Sequence, residues 1–337
     1  MTKAVALLSG GLDSTLAVKL MIEQGIEVYA LNFTSAFCTC NAGGKAKESG
    51  CKSEAKRVAE EFGVPIKVLV KGLDYIEIVR SPRHGYGKGM NPCVDCRVYM
   101  FKAAKSYMEE LGASFVITGE VIGQRPMSQR RDAMDLIERE SGLEGLILRP
   151  LCALHLPPTF PEKTGLVDRQ RLLAFSGRSR KGQMEAALEL DVHDYPCPSG
   201  GCLLTDKIFS KKVKDLLDNK KDVTKTDLAL LKVGRHFRFN GCKVIVGRNE
   251  AENERLKGLS GPEDLIVEPV GFAGPVALVK DFHGEGARSF AGGLVLRYAS
   301  GKDEGRRILT ATHNRTTVEF EATGPAAEEF IEEKRIC

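Results

Sequence analysis

Nowhere does the sequence stay apolar for the roughly 18–20 residues that a membrane-spanning helix needs. It opens almost at once on a short strand-like run. No basic leader precedes an apolar signal core, so a cytoplasmic setting is the expectation. Neither sign of charge is in excess: 49 Lys and Arg against 45 Asp and Glu leave a net of +4. Bulk charge therefore does not drive binding to nucleic acid or membranes. There is no internal repeat, heptad array or low-complexity tract, which excludes solenoids, coiled coils and disordered linkers as the main architecture. What remains is an ordinary globular composition, 42% hydrophobic and 28% charged, over 337 residues. That length suffices for two domains.

The first 120 residues alternate two patterns. "AVALL", "EVYALNFT", "IKVLV" and "FVITGE" read as strands. "DSTLAVKLMIEQG", "KSEAKRVAEEFG" and "CRVYMFKAAKSYMEELG" read as helices that stop at glycine. This βαβ rhythm predicts an α/β fold, a parallel sheet with helices on both faces. Ligands in such sheets bind at the carboxyl ends of the strands. Further helices are expected at about 127–140, 168–176 and 180–190. The texture changes after residue 206, which predicts domains at 1–206 and 207–337. The second is a smaller α+β domain with strands at "FRFNG", "KVIVG", "LIVEPV", "VALVKDF" and "LVLRYA".

Between the first strand and first helix stands "LLSGGLDST", residues 7–15. Backbone amides of a glycine turn and the free N–H groups of a helix start form an anion cradle. Ser9 and Ser14 add hydroxyls, Gly10 and Gly11 the turn, and Asp13 a carboxylate suited to Mg²⁺. The spacing is neither G-x-x-x-x-G-K-[ST] nor G-x-G-x-x-G. "SGGLDS" directly after a strand resembles the PP-loop of the ATP pyrophosphatases. That resemblance implies ATP as the nucleotide, attack at its α-phosphate, and AMP and pyrophosphate as products. It also implies that Leu31, Asn32 and Phe33 contact adenine or ribose and that Gly119 in "TGE" closes the nucleotide site.

Ten cysteines are many for a reducing compartment, where structural disulfides are not expected. Cys152, Cys242 and Cys337 stand alone and read as buried or incidental thiols. In "NPCVDC", Cys93 and Cys96 open a helix, whose terminus lowers thiol pKa. "YPCPSGGCLLTD" brings Cys197 and Cys202 about a hundred residues later. The order of PP-loop, Cys-x-x-Cys and a late cysteine resembles the RNA thiouridine synthases of the 2-thiouridine and 4-thiouridine kind, over roughly residues 3–206. Two sulfur chemistries fit. Cys93, Cys96 and Cys202 (or Cys197) could hold a 4Fe-4S cluster with one open iron. Alternatively, Cys96 and Cys202 could work as a persulfide carrier and its resolving thiol. A structural zinc lacks an obvious fourth ligand. Cys38, Cys40 and Cys51 read as a second metal site, as part of a sulfur relay, or as loop thiols.

Arg125, with Gln124 and Ser128, follows a sheet-end turn. Arg178, Arg180 and Lys181 crowd another glycine turn. Both sets are candidates for phosphate or RNA contact. Arg149 reads equally as a buried ion-pair member, and His84 as structural or RNA-facing. Residues 207–257 hold 14 Lys and Arg against 7 Asp and Glu, a local basic surface. Within it, "FRFNGCKVIVGRNEAENERL" resembles the RNA-binding domain of the NFACT proteins, with Arg248 and Asn249 as the RNA candidates.

Together these predict ATP-dependent thiolation of a uridine-type base in RNA, tRNA first, through an adenylated base, with sulfur delivered from a 4Fe-4S cluster held by three cysteines and a persulfide relay through Cys96 and Cys202 as the alternative. Sulfide or a desulfurase-type carrier would be the sulfur donor. Sulfur insertion into a small molecule and a non-catalytic RNA-binding role are the alternatives.

Overall fold

The computed structural model describes residues 1–39, 51–195, 201–300, 307–322 and 324–337. Two compact units divide the chain, Met1–Thr205 and Asp206–Cys337.

In the first unit, β1 (Lys3–Leu7), α1 (Leu12–Glu23), β2 (Glu27–Thr34), α2 (Cys51–Glu61) and β3 (Ile66–Val70) follow in order. Then come α3 (Asp74–Arg80), α4 (Cys93–Leu111), β4 (Phe115–Thr118), α5 (Arg131–Ser141), β5 (Ile147–Leu148), α6 (Phe160–Lys163) and α7 (Lys181–Glu189). The strands form a parallel sheet in the order β3-β2-β1-β4-β5. Strand β1 shows why both faces must be covered. Ala4 and Ala6 enter one core with Leu16 and Met21 of α1 and Val58 of α2. Val5 and Leu7 enter the other with Val98 and Phe101 of α4 and Ile137 of α5. Alternate residues of a strand point to opposite faces, so a fully apolar strand needs helices on both sides. The order reverses at β1, whose neighbours are β2 and β4, and that reversal opens a crevice at the strands' carboxyl ends.

The helix expected at 168–176 is a single 3-10 turn at Arg169–Arg171. Asp168 caps it, and the chain then runs extended beside the 150–151 segment, Leu173 N–H donating to the Pro150 carbonyl and Phe175 N–H to Leu151. Arg169 is tied to Glu162 and to the carbonyls of Ala153 and Leu156, which fixes the turn against its surroundings.

The second unit holds α8 (Lys207–Asn219), α9 (Lys225–Leu230), β6 (Arg235–Phe239), β7 (Cys242–Val246), α10 (Glu250–Leu259), β8 (Leu265–Pro269) and β9 (Ala277–Lys280). It closes with α11 (Glu285–Arg297), β10 (Arg307–His313), β11 (Thr316–Ala322) and α12 (Glu328–Lys334). Its sheet is antiparallel, in the order β11-β10-β8-β9-β7-β6. "LVLRYA", expected as a strand, lies mostly in α11. Ala287, Phe290, Ala291, Leu294 and Val295 recur at helical spacing and bury against the sheet. A six-residue apolar run does not reveal that period; the residues upstream do.

Candidate active site

Four parallel strands deliver their carboxyl ends to one cavity of about 350 Å³ in the first unit. Ser9, Gly11, Asp13 and Ser14 line it from the turn after β1. Leu31, Asn32 and Phe33 line it from β2, with Ser35 and Cys38 beyond. Lys71 follows β3, and Gly119 and Glu120 follow β4.

The turn is self-braced. Ser14 Oγ donates to the Gly11 carbonyl at 2.9 Å and pairs with Ser9 Oγ at 3.0 Å, while Ser9 N–H donates to Ser14 Oγ at 3.2 Å. Gly11 stands at the N-cap, and no side chain caps α1. The first-turn N–H groups of a helix have no partner within the helix, so this start suits an anion. Gly10 has φ +77°, a Cβ there would stand 2.6 Å from the backbone of Glu54 and Ala55, and it does not line the cavity. Gly119 is required for a different reason: a Cβ there would stand 2.5 Å from the backbone of Asp13 and Ser14. Only glycine lets the end of β4 approach the turn so closely.

The buried side-chain oxygens that lack a hydrogen-bond partner among the described residues all belong to cavity-lining groups: Asp13 Oδ1, Asn32 Oδ1, Gln129 Oε1, and Glu120 Oε1, which has only an ion pair with Arg97. Buried polar groups in native proteins are almost always paired, so such a concentration marks a place where a ligand supplies the partners. Asp13 Oδ2 does have partners, Gln124 Nε2 at 3.2 Å and Arg180 Nη2 at 3.3 Å. Its Oδ1 is thus an uncommitted carboxylate oxygen beside the anion cradle, which fits a hard divalent cation bridging to phosphate.

Cationic groups surround the cavity. Glu120 meets Arg97 Nε at 3.3 Å and the buried Arg149 Nε at 3.1 Å. Arg149 also pairs with Glu138, so it braces the wall without lining the cavity. Arg125 lines the cavity; desolvation and the neighbouring Arg97 lower its pKa. Two guanidinium groups held this close repel each other, and an anion between them relieves that cost. Arg178 and Lys181 are exposed and do not line the cavity, whereas Arg180 does. His84 pairs with Glu140 at 3.0 Å, outside the lining. Gln124 and Ser128 line it.

Four thiols face the same space: Cys38, Cys93, Cys96 and Cys202. Cys93 and Cys96 lie one turn apart at the start of α4 and share a face. The helix start was expected to lower thiol pKa. Cys93 is instead pushed up: burial dominates over the opposing Arg97 and Arg125. Burial likewise pushes Cys202 up to about 11. Lys71 Nζ donates to Cys96 Sγ at 3.2 Å. Among the described residues no three His, Cys, Asp or Glu side chains are grouped so as to hold a metal ion. Cys93, Cys96 and Cys202 share one cavity. Cys40 and Cys197 lie outside the described residues, as does the side chain of Cys51. Cys152 and Cys242 are buried, with sulfurs donating to the carbonyls of Glu120 and Asp281.

Sequence reasoning missed Lys71 and Arg97. Each sits just past a strand end or one turn into α4, and that position was the available signal.

In the second unit, Asn249 caps α10, its Oδ1 accepting from Glu252 N–H at 3.0 Å, and Arg248 Nε pairs with Glu252 at 3.0 Å. Both RNA candidates thus have local structural duties. The basic count also overstates the surface. Lys212 is buried against the Gly234 carbonyl at 3.0 Å, and buried Lys243 pairs with Asp215 at 3.0 Å. Among the described residues no helix is long and apolar enough to cross a membrane.

Residues 1–156 match the family model of the thiamine biosynthesis protein ThiI, and residues 234–334 that of the NFACT protein RNA binding domain. A probable tRNA sulfurtransferase of Methanothermobacter thermautotrophicus is 36% identical over 122 residues, 36% of this chain and 30% of that protein. A tRNA sulfurtransferase of Photorhabdus laumondii is 32% identical over 147 residues, 44% of this chain and 28% of that one. The tRNA-specific 2-thiouridylase MnmA of Clostridium acetobutylicum is 34% identical over 129 residues, 35% of each. The chain thus spans about a third of the length of these relatives. A solved 4-thiouridine synthetase–RNA complex with bound ATP aligns with a TM-score of 0.39 and 23% identity, over 68% of this chain and 52% of that one. The chain therefore joins a PP-loop unit resembling the RNA thiouridine synthases to a unit resembling the NFACT RNA-binding domain.

Proposed function

We propose that this protein is an ATP-dependent sulfurtransferase that replaces a carbonyl oxygen of a uridine-type base in RNA, tRNA first, with sulfur, in a cytoplasmic setting. The observation that carries the reading is the meeting of the SGGLDS turn and four thiols in one cavity. Activation and sulfur delivery must act on the same base carbon, and only a shared cavity permits both.

In the first step the base carbonyl oxygen attacks the α-phosphorus of ATP, and pyrophosphate leaves. The turn amides with Ser9 and Ser14 hold the departing phosphates, and Arg180, Arg125 and Arg97 offset their charge. Asn32 and Gln129 offer buried acceptors to ribose hydroxyls or base N–H groups. Mg²⁺, held by Asp13, would supply charge neutralisation on the phosphates. In the second step sulfur attacks the activated carbon and AMP leaves. Adenylation makes a poor leaving oxygen a good one and so divides a hard substitution in two.

A persulfide on a cavity cysteine is the sulfur form that the thiol arrangement favours, with Lys71 beside Cys96 to stabilise a sulfur anion. A 4Fe-4S cluster held by Cys93, Cys96 and Cys202, which line the same cavity, is the other sulfur form, and no step is assigned to it. Iron and acid-labile sulfide analysis of anaerobically purified protein, with Cys93→Ala, Cys96→Ala and Cys202→Ala, separates the two. Near four irons per chain, lost in the variants, replaces the persulfide by the cluster.

The function is tested by incubating the protein with ATP, a persulfide donor and bulk tRNA. Expected are RNA-dependent AMP release and a base that has exchanged one oxygen for sulfur, read by nucleoside mass spectrometry. AMP release that ignores RNA would overturn the reading in favour of a small-molecule substrate.

A further inference from the structure

Helix α8 lies outside both matched regions, 1–156 and 234–334, so neither relationship says what its outer face does. Its inner face is settled. Phe209, Val213, Leu216 and Leu217 are buried, and Lys212 is buried with them. On the opposite side Lys207, Lys211 and Lys214 are exposed. They recur at intervals of four and three residues, which sets them in one row along the helix. At 1.5 Å of rise per residue the row is about 10 Å long.

The row does not stabilise the helix. Lys207 is its first residue, and the first turn holds no acid. A cation there opposes the helix dipole. Lysines four and three residues apart repel one another. Relief is partial: Asp218 pairs with Lys214 at 2.7 Å. Asp215, the other acid of the helix, is turned to Arg238 and Lys243, and Asp206 is spent on the cap, accepting from Phe209 N–H at 2.7 Å. Among the described residues Lys207 and Lys211 have no ion-pair partner. Other exposed cations of this unit are committed, Arg248 to Glu252 and Lys257 to Glu254 and Glu268.

We propose that the outer face of α8 is an RNA-docking surface, on which Lys207, Lys211 and Lys214 contact neighbouring backbone phosphates of the tRNA. The proposal rests on the RNA-substrate reading above. Lysine ammonium groups are point charges on flexible stems, without the fixed fork of arginine. Three in a row suit a polyphosphate backbone and carry no base information. A lipid surface fits less well. The apolar side of α8 is committed to the core, and Ile208, 60% exposed, is the large apolar side chain that the helix leaves outside. A helix that lies in a membrane interface needs its whole apolar face free.

The test is titration of fluorescently labelled bulk tRNA with the full chain, read by anisotropy over a range of salt. The variant combines Lys207→Gln, Lys211→Gln and Lys214→Gln. Glutamine is as good a helix former as lysine, so thermal unfolding should stay near wild type. Affinity at low salt should fall at least about tenfold, and the slope of log affinity against log salt should shrink by about two to three, since each lost phosphate contact removes about 0.7–0.9. In AMP release the KM for tRNA should rise while kcat stays near wild type. Asp218→Asn is the converse: it frees Lys214 and should tighten binding by about threefold. The control combines Lys56→Gln, Lys163→Gln and Lys257→Gln, the same loss of charge on exposed lysines elsewhere, and should bind tRNA as wild type does.

Unchanged affinity and slope in the α8 variant would overturn the surface. Equal weakening in the control would overturn it in favour of bulk charge. Loss of binding to phosphatidylserine vesicles, with tRNA affinity intact, would give the face to a membrane instead. A wild-type chain that binds no tRNA would overturn the RNA reading and the surface with it. Binding to tRNA that depends on α8, but without any AMP release, would overturn the sulfur-transfer reading and leave the surface standing.

Discussion

In the N-terminal unit, Asp13, Asn32 and Gln129 keep buried oxygens unpaired at the edge of a cavity. In the C-terminal unit the buried carboxylates are fully engaged. Asp215 accepts from Arg238 at 2.7 Å and from Lys243 at 3.0 Å. Asp227 closes a capping box with Thr224 and pairs with Lys220. Burial alone would raise the pKa of both, but these partners hold them below the usual carboxylate range. One unit is rich in formal charge yet spends much of it internally. The other leaves buried oxygens without hydrogen-bond partners at the edge of its cavity. Unsatisfied groups, more than counted charges, mark where a substrate goes.

The largest effect expected from breaking this contrast is at Asp13. Asp13→Asn keeps the shape of the side chain and removes the charge. RNA-dependent AMP formation should fall at least about 100-fold, with thermal unfolding little changed. Unaltered AMP formation would remove Asp13 from the nucleotide site. Next is Asp215→Ala, which strands Arg238 and the buried Lys243. It should cost the C-terminal unit about 3 kcal/mol, read as faster hydrogen exchange at the β6 and β7 amides. AMP formation in the other unit is the control, and it should stay near wild type.

A smaller effect comes from His236. It is fully buried, and its Nε2 pairs with the Val233 carbonyl at 2.8 Å. Burial, with Lys212 and Lys243 nearby, pushes its pKa well below the ordinary 6.5. Above pH 6.5 the ring is neutral folded or unfolded, and stability is at its full value. As pH falls below 6.5 the unfolded chain takes up a proton that the folded unit resists, so stability declines, by at most about 1.4 kcal/mol per pH unit. Exchange protection of β6 measured from pH 7.5 to 5 should show this slope, and His236→Gln should flatten it. An equal slope in the variant would assign the acid sensitivity to other groups.

Much of this site could be read in advance where its residues are contiguous. SGGLDS is a local device, since turn, hydroxyls and helix start lie within a few residues. Cys93 and Cys96 are likewise one helical turn apart. Lys71 and Arg97 were not legible, because nothing local separates a lysine after β3 or an arginine in α4 from any solvated charge. Only the fold brings Lys71 to Cys96 and Arg97 to Glu120. The isolated β-bridge of Cys38 with Cys202 is further from view still, a long-range register that no periodicity encodes. In the second unit the basic count misled for the converse reason: a sequence shows Lys212 and Lys243 as charges but not that the fold buries them. Four strands of that sheet, β6 to β9, were legible as short apolar runs; β10 and β11 were missed, and the apolar run read as a strand at "LVLRYA" lies mostly in α11.

The unpaired oxygens around the cavity also bear on any attempt to make this protein more robust. The usual routes to a higher melting temperature pair loose polar groups or exchange them for apolar ones. A design procedure scoring the ligand-free chain would select Asp13, Asn32 and Gln129 early, since each reads as a defect. Every such repair would trade turnover for shelf life. The sound targets for hardening lie elsewhere, and these three positions should be held fixed in any library built on this chain.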